Sequence, residues 1–460
     1  MAARRNKPSG PLNIDHALVA GRTSEGAKLA QRGAMLIQQE IIFGNLDSGC
    51  LLGTVAQIRA RHKLGRWAFR EALAILEQRG VARLRPGPGG GVVVAEPDFG
   101  NIVELTLLYI YIARDGIREL VEAEAALLSA MVNMICDPAS PLPRELRFVN
   151  DEVQVSVPRA LAYQTGNPAF ELIVEYIESV RKACAHPDEQ REDPNTSAAR
   201  ALWHAIACGD AASARAALER YLEERNRLAM DRPCDIAAFS KHHTGGRKVA
   251  YRLALRILQT IGEQQDAPEV CLGSEADIAM RFDTNGEIVR QSVRLLEDLD
   301  VVASQRGRSG GIVLRKPDTV SISSLLPHIL SRHHLAVSDC YEAAGLLSVE
   351  IARLAASRAK SPPVDGVQPT PLDGAADAWR MILIDRQIQA FAQNPLLASF
   401  ERGLLLYSCV VAPPSPSEDV PLDRMMALSE SILHWVERSN PLQAERAAKA
   451  RFALMSLRFV

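Results

Sequence analysis

The chain has 460 residues, 47% hydrophobic and 23% charged, with a formal net charge of −2; this excludes a disordered polyelectrolyte and a chain-wide polycation, and allows roughly two to four domains with packed cores. Its eight cysteines include no Cys-x-x-Cys pair, so neither a zinc knuckle nor a disulfide framework is expected. The first residues carry Arg4, Arg5 and Lys7 without the apolar core of a signal peptide, and no apolar run approaches the ~18 residues of a membrane span, so a cytoplasmic protein with no membrane association is expected.

Residues 1–25 are polar. A helix is predicted over 27–43, with Leu29, Ala34, Ile37 and Ile41 at helical spacing and Gly44-Asn45 as its stop. A short helix over 55–62, a tight turn at 63–65 and a third helix over 66–78 follow, the last with Phe69, Leu73 and Leu76 on its buried face and Gly80 as its cap. Two strands, 81–84 and 92–95, flank a loop at 86–91. Residues 100–230 read as helices over 102–135, 169–184, 198–208 and 211–228, with Pro-rich breaks at 137–143 and 187–194. A linker at 231–246 leads to a helix over 250–261. From about Ser321 to the end the chain is again helical, broken by Pro-rich stretches at 361–371 and 413–421. No segment alternates strand and helix as a parallel α/β sheet requires.

Residues 53–98 and 273–318 are one motif written twice at a constant offset of 220: Gly53 matches Gly273, Arg70 matches Arg290, Gly91 matches Gly311 and Pro97-Asp98 matches Pro317-Asp318. A period this long marks a duplicated domain, since solenoid periods are roughly 20–50 residues. Three helices followed by a two-stranded wing is a DNA-docking layout. The expected fold class is therefore mainly α: two winged helix-turn-helix domains, 26–98 and 247–318, each followed by an all-helical domain, 99–230 and 319–460.

The first copy carries the chemistry of a phosphate-binding surface. Residues 1–97 hold fourteen Lys/Arg against seven Asp/Glu, whereas residues 244–317 hold eleven against ten. Arg66 and Arg70, four residues apart, share one face of the third helix, and Arg is the commonest reader of guanine edges in the major groove. Arg59, Arg61, His62 and Lys63 stand just before that helix, placed for the DNA backbone. The wing, with Gly87, Gly89 and Gly90, brings backbone amides close to phosphates, and Arg83 and Arg85 add charge. The glycines do not form a nucleotide loop, because they precede a strand and no Gly-Lys-Ser/Thr follows. In the second copy Asn285 caps the helix and Arg290 matches Arg70, but Gly286, followed by Glu287, replaces Arg66, and a carboxylate there repels phosphate unless it accepts from a cytosine amine. Its wing is more basic, with Arg306, Arg308 and Ser309. The copy suits an altered contact with DNA or a purely structural role.

The stretch 51–98 resembles the winged helix-turn-helix of the GntR family of transcription factors: Arg66 matches the Arg that opens its recognition helix, and Arg70-Glu71-Ala72-Leu73 matches its Arg-Glu-Ala-Leu. Gly65 replaces the usual Ser cap and Ala56 a usual polar residue. The stretches 161–168 and 201–210, with 394–397 and 435–440 in the second tail, resemble the helical effector domain of the family's FadR branch. The resemblance implies a regulator of transcription, of the repressor kind, that binds double-stranded DNA and responds to a small-molecule effector in its helical domains. It also implies a divalent-metal site at Gln154, Pro158, Ala199 and Tyr221, and again at Met381, Asp385, Ser429 and Arg451. These positions have lost nearly every ligand type, so no metal and no other cofactor is expected. The adjacent histidines at 242–243 and 333–334 are poor chelators.

The family resembles other helix-turn-helix proteins in pairing two winged units on a two-fold site. One chain carrying both implies an intramolecular pseudo-dimer on an asymmetric operator; pairing of two chains into a homodimer is the alternative. An enzyme is not expected, for the tails hold no nucleophile elbow, metal cluster or cofactor lysine. A protein-interaction module without DNA binding is the remaining class, against which the basic first copy argues.

Overall fold

Thr54 organises the first module. Its hydroxyl accepts from the Gln57 backbone N–H at 3.3 Å, and the Gln57 side chain accepts from the Thr54 N–H at 2.8 Å, a reciprocal capping box. The computed structural model describes residues 25–44, 46–96, 99–113, 115–137, 155–184, 196–230, 248–262, 271–298, 301–305, 311–314, 319–359, 376–411 and 422–456, and the chain is mainly helical. The first module comprises α1 (Glu25–Phe43), β1 (Leu51–Gly53), α2 (Val55–Arg61), α3 (Arg66–Gln78), β2 (Ala82–Arg85) and β3 (Gly91–Val94). Lys63, at φ 53°, makes the turn between α2 and α3. Phe69, Leu73 and Leu76 of α3 are buried with Ile37, Ile41, Ile58 and Val92–Val94. Ala34, Ile37 and Ile41 of α1 are buried as expected, but Leu29 is 47% exposed and Ala30 takes the core position at that end of the helix.

The sheet has the order β1-β3-β2, with Ala82 opposite Val94 and Arg85 opposite Gly91. The short β1 extends the expected hairpin. Its approach needs a glycine at position 91, where an added Cβ would lie 2.3 Å from the Gly53 carbonyl oxygen.

The helices that follow are α4 (Phe99–Ile112), α5 (Gly116–Ile135), α6 (Val157–Thr165), α7 (Pro168–Cys184), α8 (Ser197–Ala207) and α9 (Ala211–Met230). The single helix expected over 102–135 is two. The chain breaks before Gly116, where any Cβ would come within 2.3 Å of the Ile110 carbonyl oxygen; the Asp115-Gly116 pair is a turn signal that apolar periodicity overran. α4 is buried on most of its surface. The buried carboxylate of Glu124 is paired with Arg181 at 2.8 Å and Arg225 at 3.0 Å.

The second module repeats the local rules of the first. It comprises α10 (Lys248–Gly262), α11 (Glu275–Arg281), α12 (Gly286–Asp298), β4 (Val302–Gln305) and β5 (Gly311–Leu314). Ser274 and Asp277 form its capping box, Asp283 at φ 47° makes the turn, and Val302 lies opposite Leu314. Each feature sits 220 residues after its counterpart.

The remaining helices are α13 (Val320–Arg332), α14 (Val337–Arg358), α15 (Ala376–Ala392), α16 (Pro395–Val411), α17 (Leu422–Glu437) and α18 (Pro441–Ser456). The chain divides into two compact units, cut within α14. The larger holds residues 24–347 and 394–412, hence both modules. In it, Arg79 of the first module donates to Ser321 and Ser324 of α13, both at 3.2 Å, and Gln38 of α1 donates to the Ser324 carbonyl. The second module docks through Tyr251 of α10 on the Glu104 carbonyl of α4 at 3.3 Å. Each module thus packs against the helix that follows the other one.

Two asparagines make matching clasps in this unit. The Asn167 amide donates to the Asp339 carbonyl at 3.0 Å and to Glu342 at 2.8 Å; the Asn394 amide donates to the Glu119 carbonyl at 2.9 Å and to Glu122 at 3.1 Å. Both side-chain oxygens also accept from the first turn of the following helix, from Ala169 and Leu397, at 2.9 Å. The acceptors are again 220 residues apart, so the contact is self-complementary, as at an isologous interface. In the smaller unit, Met425 and Leu454 form a core with Met381, Leu428 and Met455.

Candidate nucleic-acid interface

The α3 face is built by its buried side. With Ala68, Phe69, Ala72, Leu73 and Leu76 turned into the core, Arg66 and Arg70 are left on the exposed side. Among the described residues, neither has a hydrogen-bond or ion-pair partner. Gly65 caps α3 without a side chain, and the space around it is open. The dipole of the first turn therefore adds positive potential beside Arg66.

The other residues expected here divide into free and engaged groups. Lys63 is exposed at the turn. Arg59 is drawn inward, its Nε donating to the Leu64 carbonyl at 3.3 Å, which closes the turn. Arg61 is paired with Glu40 and reaches the Leu52 carbonyl. His62 also meets Glu40, at 2.7 Å. Arg85 donates to the Gly89 carbonyl at 3.2 Å across the β2–β3 hairpin loop, whose Gly87 and Gly89 have φ of 96° and 71°. At Gly90 a Cβ would fall 2.2 Å from the Arg85 carbonyl oxygen, so the hairpin tip is tight bare backbone. Sequence reasoning passed over Trp67, which is 54% exposed beside the two arginines; its signal was an aromatic residue outside the apolar spacing of α3.

The matching face of the second module is different in charge state. Asn285 is spent on the cap, accepting from the Ile288 N–H at 2.9 Å. Arg290 is held by Glu275 at 3.0 Å and by Glu287 at 2.9 Å. Met280, at 82% exposure, stands on α11. Arg306, Arg308 and Ser309 lie outside the described residues. The two helices are joined by an ion pair between Glu71 of α3 and Arg294 of α12 at 3.1 Å.

At the four positions that the resemblance assigned to a metal in the second tail, the structure places a buried guanidinium. Arg451 donates to Asp385, to Ser429 at 3.0 Å and to Ser348 at 2.7 Å, all in the smaller unit. In the first tail Gln154 lies outside the described residues, Pro158 and Ala199 are apolar, and the Tyr221 hydroxyl accepts from Arg225 at 2.8 Å. Among the described residues no group of three or more His, Cys, Asp or Glu is placed to hold a metal ion. A groove of about 410 Å³ in the smaller unit is lined by Leu383, Ile384, Leu433, Gln387 and the ion pair of Arg380 with Glu430.

In class, this is a mainly helical protein with two copies of a three-helix-and-hairpin module, one presenting free arginines and the other paired ones. No protein-family model, curated protein or solved structure matches the chain. Among the described residues no helix is long and apolar enough to cross a membrane.

Proposed function

We propose that the chain is a sequence-specific DNA-binding regulator of transcription of the GntR type, FadR branch, working as a single-chain pseudo-dimer on an asymmetric operator. Both modules are read as winged helix-turn-helix units. The observation that carries this reading is the pair of free guanidiniums, Arg66 and Arg70, on the exposed face of a helix that follows a tight turn and precedes a bare glycine wing. Repressor action relieved by a small-molecule effector in the helical regions belongs to the same reading. No catalytic step and no cofactor enters it.

The pseudo-dimer is supported by the self-complementary clasps of Asn167 and Asn394 and by the ion pair between α3 and α12. That ion pair also limits the operator. Arg66 is about 7.5 Å of helical rise from Glu71, and Gly286 about 12 Å from Arg294. Even with extended side chains in the bridge, the two helix tips lie within roughly one 34 Å turn of duplex. The expected operator is one continuous site, strong on the side of the first module.

A second reading keeps the second module as a structural copy, with two chains pairing to read DNA through their first modules. Its support is Arg290, which two carboxylates already neutralise. Footprinting on duplexes selected from a random pool, with light scattering of the complex, separates the two. One chain on a lopsided site supports the first reading, and two chains on a palindrome support the second. Affinity for duplex DNA that does not fall with rising salt overturns both, since phosphate contacts release counterions.

A further inference from the structure

Trp67 is the second residue of α3 and is 54% exposed, while the other aromatic residue of that helix, Phe69, is 2% exposed. Its place on the helix is fixed by its neighbours. Arg70 and Glu71 stand three and four residues on and so flank it on the surface, and Glu71 is bound to Arg294 of α12. Trp67 therefore lies between the arginine row and the bridge to the second module, on the side of the reading face nearest the seam between the modules. Glu287 stands at the matching position of the second copy, so the apolar group is present once.

We propose that Trp67 is a specificity-determining residue that packs on thymine methyl groups toward the centre of the operator, beside the guanines read by Arg66 and Arg70. The major-groove edge of the four ordinary bases offers one apolar group, the thymine C5-methyl, and apolar side chains are its readers. An exposed indole on one side of a row of two free guanidiniums combines both kinds of readout on a single helical turn. The inference rests on the DNA-reading assignment above and adds to it a base identity and a side of the site.

Single deoxyuridine-for-thymidine replacement tests it, because this removes only the methyl group. On a duplex selected from a random pool, binding to the full chain is expected to weaken about fourfold at one or two adjacent thymidines on the central side, the worth of one buried methyl. Trp67→Ala is expected to abolish that sensitivity, and Trp67→Phe to retain part of it. The difference in emission between the wild-type chain and Trp67→Phe should shift when the duplex is added. A flat uridine series, or an identical series for Trp67→Ala, overturns the role of Trp67 while leaving DNA binding intact. Failure to select any duplex overturns the inference together with the reading on which it rests.

Discussion

The two modules share a skeleton and differ in what they show to a partner. The capping boxes of Thr54 and Ser274, the left-handed turns at Lys63 and Asp283, and the hairpin registers 82/94 and 302/314 all recur at the same offset. On the exposed face the likeness ends. Arg66 and Arg70 stand free, whereas Gly286 and Arg290, with Glu275 and Glu287 on its guanidinium, replace them. Capping, turn and core packing depend on local backbone needs and tolerate few residues. A solvated face carries no such demand, so a duplicated module can keep its fold while its chemistry drifts.

The largest effect expected from this difference is on DNA affinity. Each bidentate Arg–guanine contact is worth about 1–3 kcal/mol, so the double change Arg66→Ala/Arg70→Ala should weaken specific binding by about 2–6 kcal/mol. Arg290→Ala should alter it by less than about 0.5 kcal/mol, because its charge is already neutralised within its module. Equilibrium titrations at one salt concentration check this; equal losses from the two modules would erase the distinction between them.

The helical body carries its own inequality. Glu119 and its counterpart Asp339 both have raised pKa values, chiefly through burial, but Glu119 is pushed up to about 7 by its burial, against the opposing effect of the Tyr109 hydroxyl, which donates to its carboxylate at 2.6 Å. The folded chain therefore keeps this proton where the unfolded chain, titrating near 4.5, has lost it. Stability from this group is greatest below pH 4.5 and falls as pH rises toward 7, by roughly 3 kcal/mol. Glu119→Gln should flatten that part of the profile in urea unfolding measured at pH 5 and pH 7.5. Asp339→Asn should change the slope less, and a profile indifferent to Glu119→Gln would remove the asymmetry.

The two asparagine clasps should behave as equals. Asn167→Ala and Asn394→Ala each remove a cap and leave a carbonyl and a carboxylate short of a donor. Each should cost about 1–3 kcal/mol of stability. A cost confined to one of them would show that the seam is not self-complementary in energy, whatever its geometry.

How much of this was legible beforehand follows the range of each interaction. The helices, the 63–65 turn and the hairpin are set by residues within a few positions of one another, and apolar periodicity found them. The Asp115-Gly116 break was missed because Ile, Leu and Tyr continue the apolar pattern on both sides of it. The clasps could not be read: Asn167-Pro168 and Asn394-Pro395 stood out as motifs, but their partners are 172 to 275 residues away in the chain. Pairing was equally invisible. Arg59, Arg61, Arg66, Arg70 and Arg290 look alike as letters, and only packing separates the arginines that close turns or meet carboxylates from the two that are free.

That separation leads to the smallest predicted effect and the sharpest use of the comparison. If Glu275 and Glu287 hold Arg290 away from phosphate, then weakening the hold should recruit it. Exposed ion pairs are worth about 0.2–1 kcal/mol, and a carboxylate beside the groove adds a repulsion that the same change removes. Glu287→Gln keeps the size and the hydrogen-bonding reach of the side chain, so it tests charge alone. It is expected to raise DNA affinity by about two- to fivefold and to steepen the salt dependence, since one more cation is then available to release counterions. Glu287→Gln combined with Arg290→Ala should keep only the part of the gain that comes from the lost repulsion. A gain that survives the loss of Arg290 undiminished would mean that Glu287 acts by repulsion only. No gain at all would place the second module away from DNA and favour the reading in which two chains meet on the operator.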